Sequence, residues 1–169
     1  LTYTVLKTDD GKIPKKEEIL VFDYQLKDSK DSLWGDTFKD GIPAASVTGD
    51  TAVLDSEDGM TQMFRELSKG DSVKTTMSVT NFFQKLVRAP VPPNVDSTGS
   101  VTYTIAVRDV MNLENFQTFR SKKVSDRDDA VINKYLADNN ITAQKDTTGL
   151  QYVIYNTTGK QKPTVENCV

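Results

Sequence analysis

The sequence predicts an α+β fold in which antiparallel strands wrap around one helix, followed by a helical linker and a truncated β segment. Three observations carry this. Met60, Met63, Phe64 and Leu67 fall at i, i+3, i+4 and i+7, one apolar face of an amphipathic helix. Alternating runs follow it, Val73, Thr75, Met77, Val79 and then Val101, Tyr103, Ile105, Val107, the period of half-buried strands. Finally, the opening of the chain recurs near its end.

Leu1 to Leu6 reads as the first strand, followed by a polar turn with Gly11-Lys12, Pro14, Lys15 and Lys16. Residues 17–26 carry Ile19, Leu20, Val21, Phe22, Tyr24 and Leu26 and read as the second strand. A loop with Gly35, Gly41 and Pro43 comes next. The acidic run Asp55 to Asp58 suits a helix N-terminus, where the dipole favours negative charge. Gly70 is the C-terminal stop of that helix. Pro90, Pro92 and Pro93 exclude helix from the loop before the last strand. A further helix begins near 112 with Leu113, Phe116 and Phe119. A break is expected near Val124, with a restart at Ser125, whose partner Asp128 makes a weak capping box. Val131, Ile132, Tyr135 and Leu136 form its apolar stripe. This helical region reads as a spacer.

Leu1-Thr2-Tyr3-Thr4-Val5-Leu6 is matched by Leu150-Gln151-Tyr152-Val153-Ile154-Tyr155. Each is followed by Gly-Lys (Gly11-Lys12, Gly159-Lys160), a Pro (Pro14, Pro163) and another apolar run, the second being Val165 to Val169. The organisation expected is one domain over 1–111, a helical linker over 112–147, and over 148–169 the first strands of a second copy. That copy stops where the first enters its second strand, so the chain reads as ending inside a domain. Its start at Leu1 rather than Met reads as processing or as a fragment. Residues 150–169 are expected not to close a sheet of their own. They would lie against the linker helix, pair with an exposed strand edge, in this or another molecule, or stay disordered.

Composition narrows the chemistry. The chain has 169 residues and a net charge of −3. Its pI near 5.0 argues against a nucleic-acid partner, which needs a basic footprint. There is no histidine, which removes His bases, Ser–His and Cys–His nucleophile pairs and imidazole metal ligands. The one cysteine, Cys168, has no partner for an intrachain disulfide or a thiolate cluster. Asp28, Asp31, Asp36 and Asp40 lack the spacing and Gly of a calcium loop and read as a solvated loop. No metal and no cofactor is expected. No apolar run approaches the roughly 20 residues of a membrane span.

The order of strands, one helix, strand, long loop and last strand resembles the FKBP-type peptidyl-prolyl isomerases, and the spacings add to it. Gly59 and Gly70 stand eleven apart, like the paired glycines of the family's helix motif. Pro92-Pro93 resembles the end of its long loop. The resemblance covers about residues 1–111, and 148–169 is similar to the start of a second such domain.

What the resemblance implies is a pocket for X-Pro bonds. Tyr24 matches the pocket Tyr of the second strand, and Trp34, ten residues later, matches an aromatic wall; Phe38 is the alternative wall in another register. The family's Asp directly after that aromatic is Gly35 here, with Asp36 one place late. Met60 stands at the platform Trp, and Phe83 at a Tyr whose hydroxyl bonds substrate. Tyr103 matches the aromatic of the last strand. All of these rings could equally be core aromatics of a small β domain. Such catalysis needs no nucleophile. An apolar pocket complementary to the twisted amide lowers a rotation barrier of about 18–20 kcal/mol. Losing one donor is worth about 0.5–1.5 kcal/mol, and a Met platform lacks the flat shape of Trp. The implied function is therefore an isomerase and folding assistant with weakened turnover, acting on proline-containing or unfolded polypeptide. The alternative is a non-catalytic binding module or chaperone of the same fold, and a structural envelope domain with a filled pocket is a third reading. Tandem domains of this kind resemble envelope proteins of Gram-negative bacteria, which implies a periplasmic or outer-membrane location. Membrane attachment would come only through a lipoprotein anchor outside this sequence.

Overall fold

The computed structural model describes residues 2–48 and 59–155. Leu1, the acidic run Asp55 to Asp58, Gly159-Lys160, Pro163 and the final run with Cys168 lie outside them. Contacts divide the chain into two compact units, Leu1–Arg127 and Asp128–Val169.

The first unit holds β1 (Tyr3–Lys7), β2 (Ile19–Asp28), β3 (Leu33–Asp36), α1 (Thr37–Asp40) and β4 (Ala44–Val47). Then come α2 (Gly59–Glu66), β5 (Ser72–Ser78) and α3 (Val79–Asn81), which runs straight into a π-helical segment (Phe82–Val87), and β6 (Ser100–Met111). The strands form one antiparallel sheet in the order β1-β5-β6-β2-β3, and β4 pairs with the start of β2. The expected α+β class, an antiparallel sheet around one helix, is what the chain adopts. Leu20, Phe22, Val73, Ile105, Val107 and Val110 of the sheet close on Met60, Met63, Phe64 and Leu67 of and just after α2. Burying each such side chain is worth about 1.5–3 kcal/mol, so this face holds the helix across the sheet. Gly70 follows with φ +97°, a conformation an L side chain avoids, and its N–H donates to the Val107 carbonyl at 3.1 Å. The helix end is thereby tied to the sheet.

Three ladders carry an extra residue, Leu6 in β1 and one more in each of two ladders of β2. Leu26 pairs with Gly35 but Lys27 with Leu33, so Trp34 is bulged. Phe22 pairs with Val107 but Val21 with Asp109, so Arg108 is bulged. A bulge leaves its residue unpaired and re-aims the side chain.

Several local expectations are corrected. The loop after β2 contains β3, α1 and β4. Its strands are four residues each and are recruited by the open edge of β2, a tertiary cause that no local pattern reveals. Val79 is not a strand residue: Ser78 caps a helix there, its Oγ accepting from Asn81 N–H at 3.2 Å. The helix expected to break near Val124 is one continuous α4 (Leu113–Asp138). It is capped by Asn112, whose Oδ1 accepts from Asn115 N–H at 2.8 Å, and no Gly or Pro interrupts it.

In the second unit the last residues of α4 precede a small hairpin of β7 (Gln144–Lys145) and β8 (Gln151–Tyr152). Asp146 closes its turn by accepting from the N–H groups of Thr148 and Leu150 at 2.8 and 3.0 Å. Lys145 pairs with Asp129 of α4 at 3.1 Å. The described part of the repeated segment thus pairs with residues just upstream of it. Val131 and Tyr135 are exposed, so the stripe of α4 is not a core face among the described residues.

Candidate functional site

On the α2 side of the sheet, five aromatic rings from four elements are in sequential contact. Tyr24 on β2 and Tyr103 on β6 lie on one face, because Leu26 pairs with Tyr103 and Tyr24 is the diagonal neighbour. Their ring centroids are 5.4 Å apart. Phe82 from the π-helical segment touches Tyr103 at 6.1 Å and Trp34 at 5.9 Å. Phe83 meets Phe82 edge-on at 5.2 Å and Trp34 at 6.1 Å. The bulge explains why Trp34 is here at all, since strict alternation would turn it to the face occupied by Asp36. Its indole N–H donates to Asp28 Oδ2 at 3.2 Å, which fixes the ring's outer edge.

Gly35 sits under this cluster. A Cβ there would stand 3.2 Å from the Tyr24 ring and 3.3 Å from its hydroxyl oxygen. The missing side chain is therefore what lets Tyr24 lie flat against β3. Neither the Tyr24 nor the Tyr103 hydroxyl has a hydrogen-bond partner among the described residues. Burial, and next to it the Tyr24 phenol, push the Tyr103 phenol up to about 12, so it remains a neutral donor across physiological pH.

Cavities open on two sides of the cluster. One, of about 270 Å³, is lined by Met60, Met77, Asn81, Lys85 and Leu86. The other, of about 320 Å³, is lined by Trp34, Val79, Val95, Asp28 and Asp96. The π-helical segment lies between them, because its Phe82 and Phe83 fill the ring cluster while Lys85 and Leu86 border the first cavity.

The structure therefore brings together Tyr24, Trp34, Phe83 and Tyr103, with Met60 buried in the adjoining core beside Tyr24 and Tyr103. Asp36 does not join them. It pairs with Gln25, on the face opposite Tyr24, and it is the N-cap of α1. Its carboxylate accepts from Phe38 and Lys39 N–H at 3.1 and 3.4 Å and from Gln25 Nε2 at 3.0 Å. The Gln25 bond first, then the backbone donors and Lys39, hold it below its ordinary value against the opposing effect of desolvation. A carboxylate committed in this way is a structural cap. Phe38, the alternative wall, is also away from the cluster, with Arg108 placed over its ring at 5.8 Å. Phe82 and Leu86 escaped the sequence reading. The Phe82-Phe83 doublet was the available signal, but only a helical backbone there puts the first ring inward.

No family model matches the chain, and no curated protein matches it. Among solved structures it is similar to FkpA from Escherichia coli, at 19% identity and a TM-score of 0.47 over 65% of this chain and 47% of that one. It is also similar to the N-terminal domain of FKBP42 from Arabidopsis thaliana, at 14% identity and a TM-score of 0.45 over 64% of this chain and 84% of that one. A multi-domain immunophilin from Arabidopsis thaliana gives 14% and 0.45 over 64% of this chain and 42% of that one. The chain spans about half the length of FkpA. These are likenesses of fold alone, and the antiparallel sheet across α2 stands on its own pairing and packed core.

Proposed function

We propose that the first unit binds proline-containing or unfolded polypeptide at the ring cluster and rotates X-Pro bonds there as a weak peptidyl-prolyl isomerase. The observation that carries this reading is the run of rings from Tyr24 to Phe83 containing two phenols whose hydroxyls are uncommitted among the described residues. A proline ring is accommodated by flat apolar walls. A phenol anchors a neighbouring carbonyl of the peptide, while the apolar surround disfavours the charge-separated planar amide relative to the twisted one, whose oxygen has given up charge. No proton moves, so the absence of histidine is immaterial.

Two observations favour binding over turnover as the second reading. Phe83 has no hydroxyl, and Phe82 occupies the space between Trp34 and Tyr103. On that reading the unit holds extended chain without accelerating its isomerisation.

Exchange NMR on the full chain with a tetrapeptide containing a central Leu-Pro bond separates the readings. Faster cis/trans exchange, with shifts at Tyr24 and Tyr103, supports the isomerase. Shifts without faster exchange move the conclusion to the binding module. No shift at the cluster at millimolar peptide sinks both.

A further inference from the structure

The opposite face of the sheet carries a further cavity, of about 310 Å³, lined by Asp23, Thr37, Phe38, Arg108, Phe119 and Lys123, all of the first unit. Nothing in the proposed function uses it. Asp23 is 4% exposed, and a carboxylate so deeply buried needs partners. It has two. Thr37 Oγ1 donates to Oδ1 at 3.0 Å, and Arg108 Nε pairs with Oδ2. Arg108 reaches it because it is the bulged residue of β6, turned out of the ladder toward this face.

That pairing uses only one edge of the guanidinium. The two terminal nitrogens of Arg108 have no partner among the described residues, and the plane of the group lies near the Phe38 ring. Lys123 is 5.9 Å from the Phe119 ring centroid and meets no carboxylate among the described residues. The charges can be balanced one by one. Asp23 is matched by Arg108, and Asp109, also on the wall, by Lys69 at 3.2 Å. Lys123 is left over. The cavity therefore presents one unmatched positive charge, a planar fork of donors and two aromatic rings, of which Phe38 is 44% exposed.

We propose that this outer cavity binds a monocarboxylate that carries an apolar or aromatic group. The guanidinium fork matches the two oxygens of a carboxylate. Lys123 supplies the compensating charge, and Phe38 and Phe119 take the apolar substituent. A doubly charged phosphate fits less well, because its second charge would face Asp23 and Asp109 with no further cation on the wall. The volume suits one amino-acid-sized group. The carboxylate could be that of a free small acid or the C-terminus of a polypeptide ending in an apolar residue.

The test is a chemical-shift titration of the full chain with N-acetyl-phenylalanine, its amide, and the tetrapeptide Ala-Ala-Ala-Phe with a free carboxylate. Saturable shifts at Gly41, Arg108 and Lys123 are expected from the acids and none from the amide. Lys123→Gln removes the unmatched charge at an exposed site and is expected to weaken acid binding by about fivefold. Phe38→Ala weakens it separately, and Lys123→Gln leaves the Asp23–Arg108 pair and the ring beside it in place. Tighter binding of the tetrapeptide than of N-acetyl-phenylalanine identifies a chain terminus as the ligand, and equal binding identifies a small acid. The proposal is overturned if acid and amide titrate alike, if no acid saturates, or if Lys123→Gln binds as the unaltered chain does.

Discussion

Tyr103 ends in a hydroxyl that is enclosed among rings yet bonded to nothing among the described residues. A polar group in that position contributes little to holding the fold, since its removal breaks no bond. It is available to a ligand instead. Tyr103→Phe is expected to leave thermal stability nearly unchanged while weakening proline-peptide binding by about 0.5–1.5 kcal/mol. Spectrophotometric titration checks the assignment independently. The folded-state phenol lies at about 12 against an ordinary 10.0, so its contribution to stability is complete below pH 10.0 and is lost as pH rises through about 12. The late ionisation step should vanish in Tyr103→Phe; if it persists, another tyrosine is responsible. Thr37 is the counterpart on the other face. Its single hydroxyl donates to Asp23 and accepts from the Tyr24 backbone N–H at 2.8 Å, so one side chain ties the buried carboxylate to the backbone of β2.

Among the elements, the π-helical segment Phe82–Val87 has the most consequence for the site, because it sets which of two adjacent rings faces inward. It ends at Arg88, whose φ of +57° lies in the left-handed region. A residue with a Cβ is strained there by about 1–2 kcal/mol. Arg88→Gly should therefore be more stable than Arg88→Ala by about 1 kcal/mol in urea unfolding; the reverse order would mean that the turn is not held in that conformation. This element also marks where the sequence ceases to be legible. The α2 face, β2, β5 and β6 could be read because each buries a periodic apolar set against the same core. Tyr24, Trp34, Phe83 and Tyr103 were legible only through the family resemblance, because they come from two strands, a bulge and a π-helical segment and share no single period. Residues 79–87 carry no clean period, and the last stretch before the prolines shows nothing that separates loop from π-helix. The resemblance points to Asp36 as the pocket acid one place late, but the bulge at Trp34 decouples the faces of its neighbours, and a bulge leaves no mark in a single sequence.

At the scale of the whole molecule, carboxylates hold many of the turns. Glu18 is kept below its ordinary 4.5 chiefly by the hydrogen bond from Lys12. Asp96 and Asp146 are kept below 3.8 chiefly by the hydroxyls of Thr98 and Thr148, and Asp36 by Gln25. A depressed folded-state value means that the stabilisation is fully present above the ordinary value and is lost as pH falls through the lower one. Thermal melts should be flat from neutrality to roughly pH 5 and decline steadily toward roughly pH 2. A midpoint unchanged at the acid end would show these bonds to be dispensable. The bulge at Arg108 bears on heredity as well as on shape. Without Arg108, Val107, Asp109 and Val110 would alternate in, out and in against Phe22, Val21 and Leu20, an uninterrupted ladder over an unchanged core. The unit of change for the outer cavity is thus a single inserted or deleted codon. A lineage could acquire or discard that site in one step while the framework that folds it stayed the same.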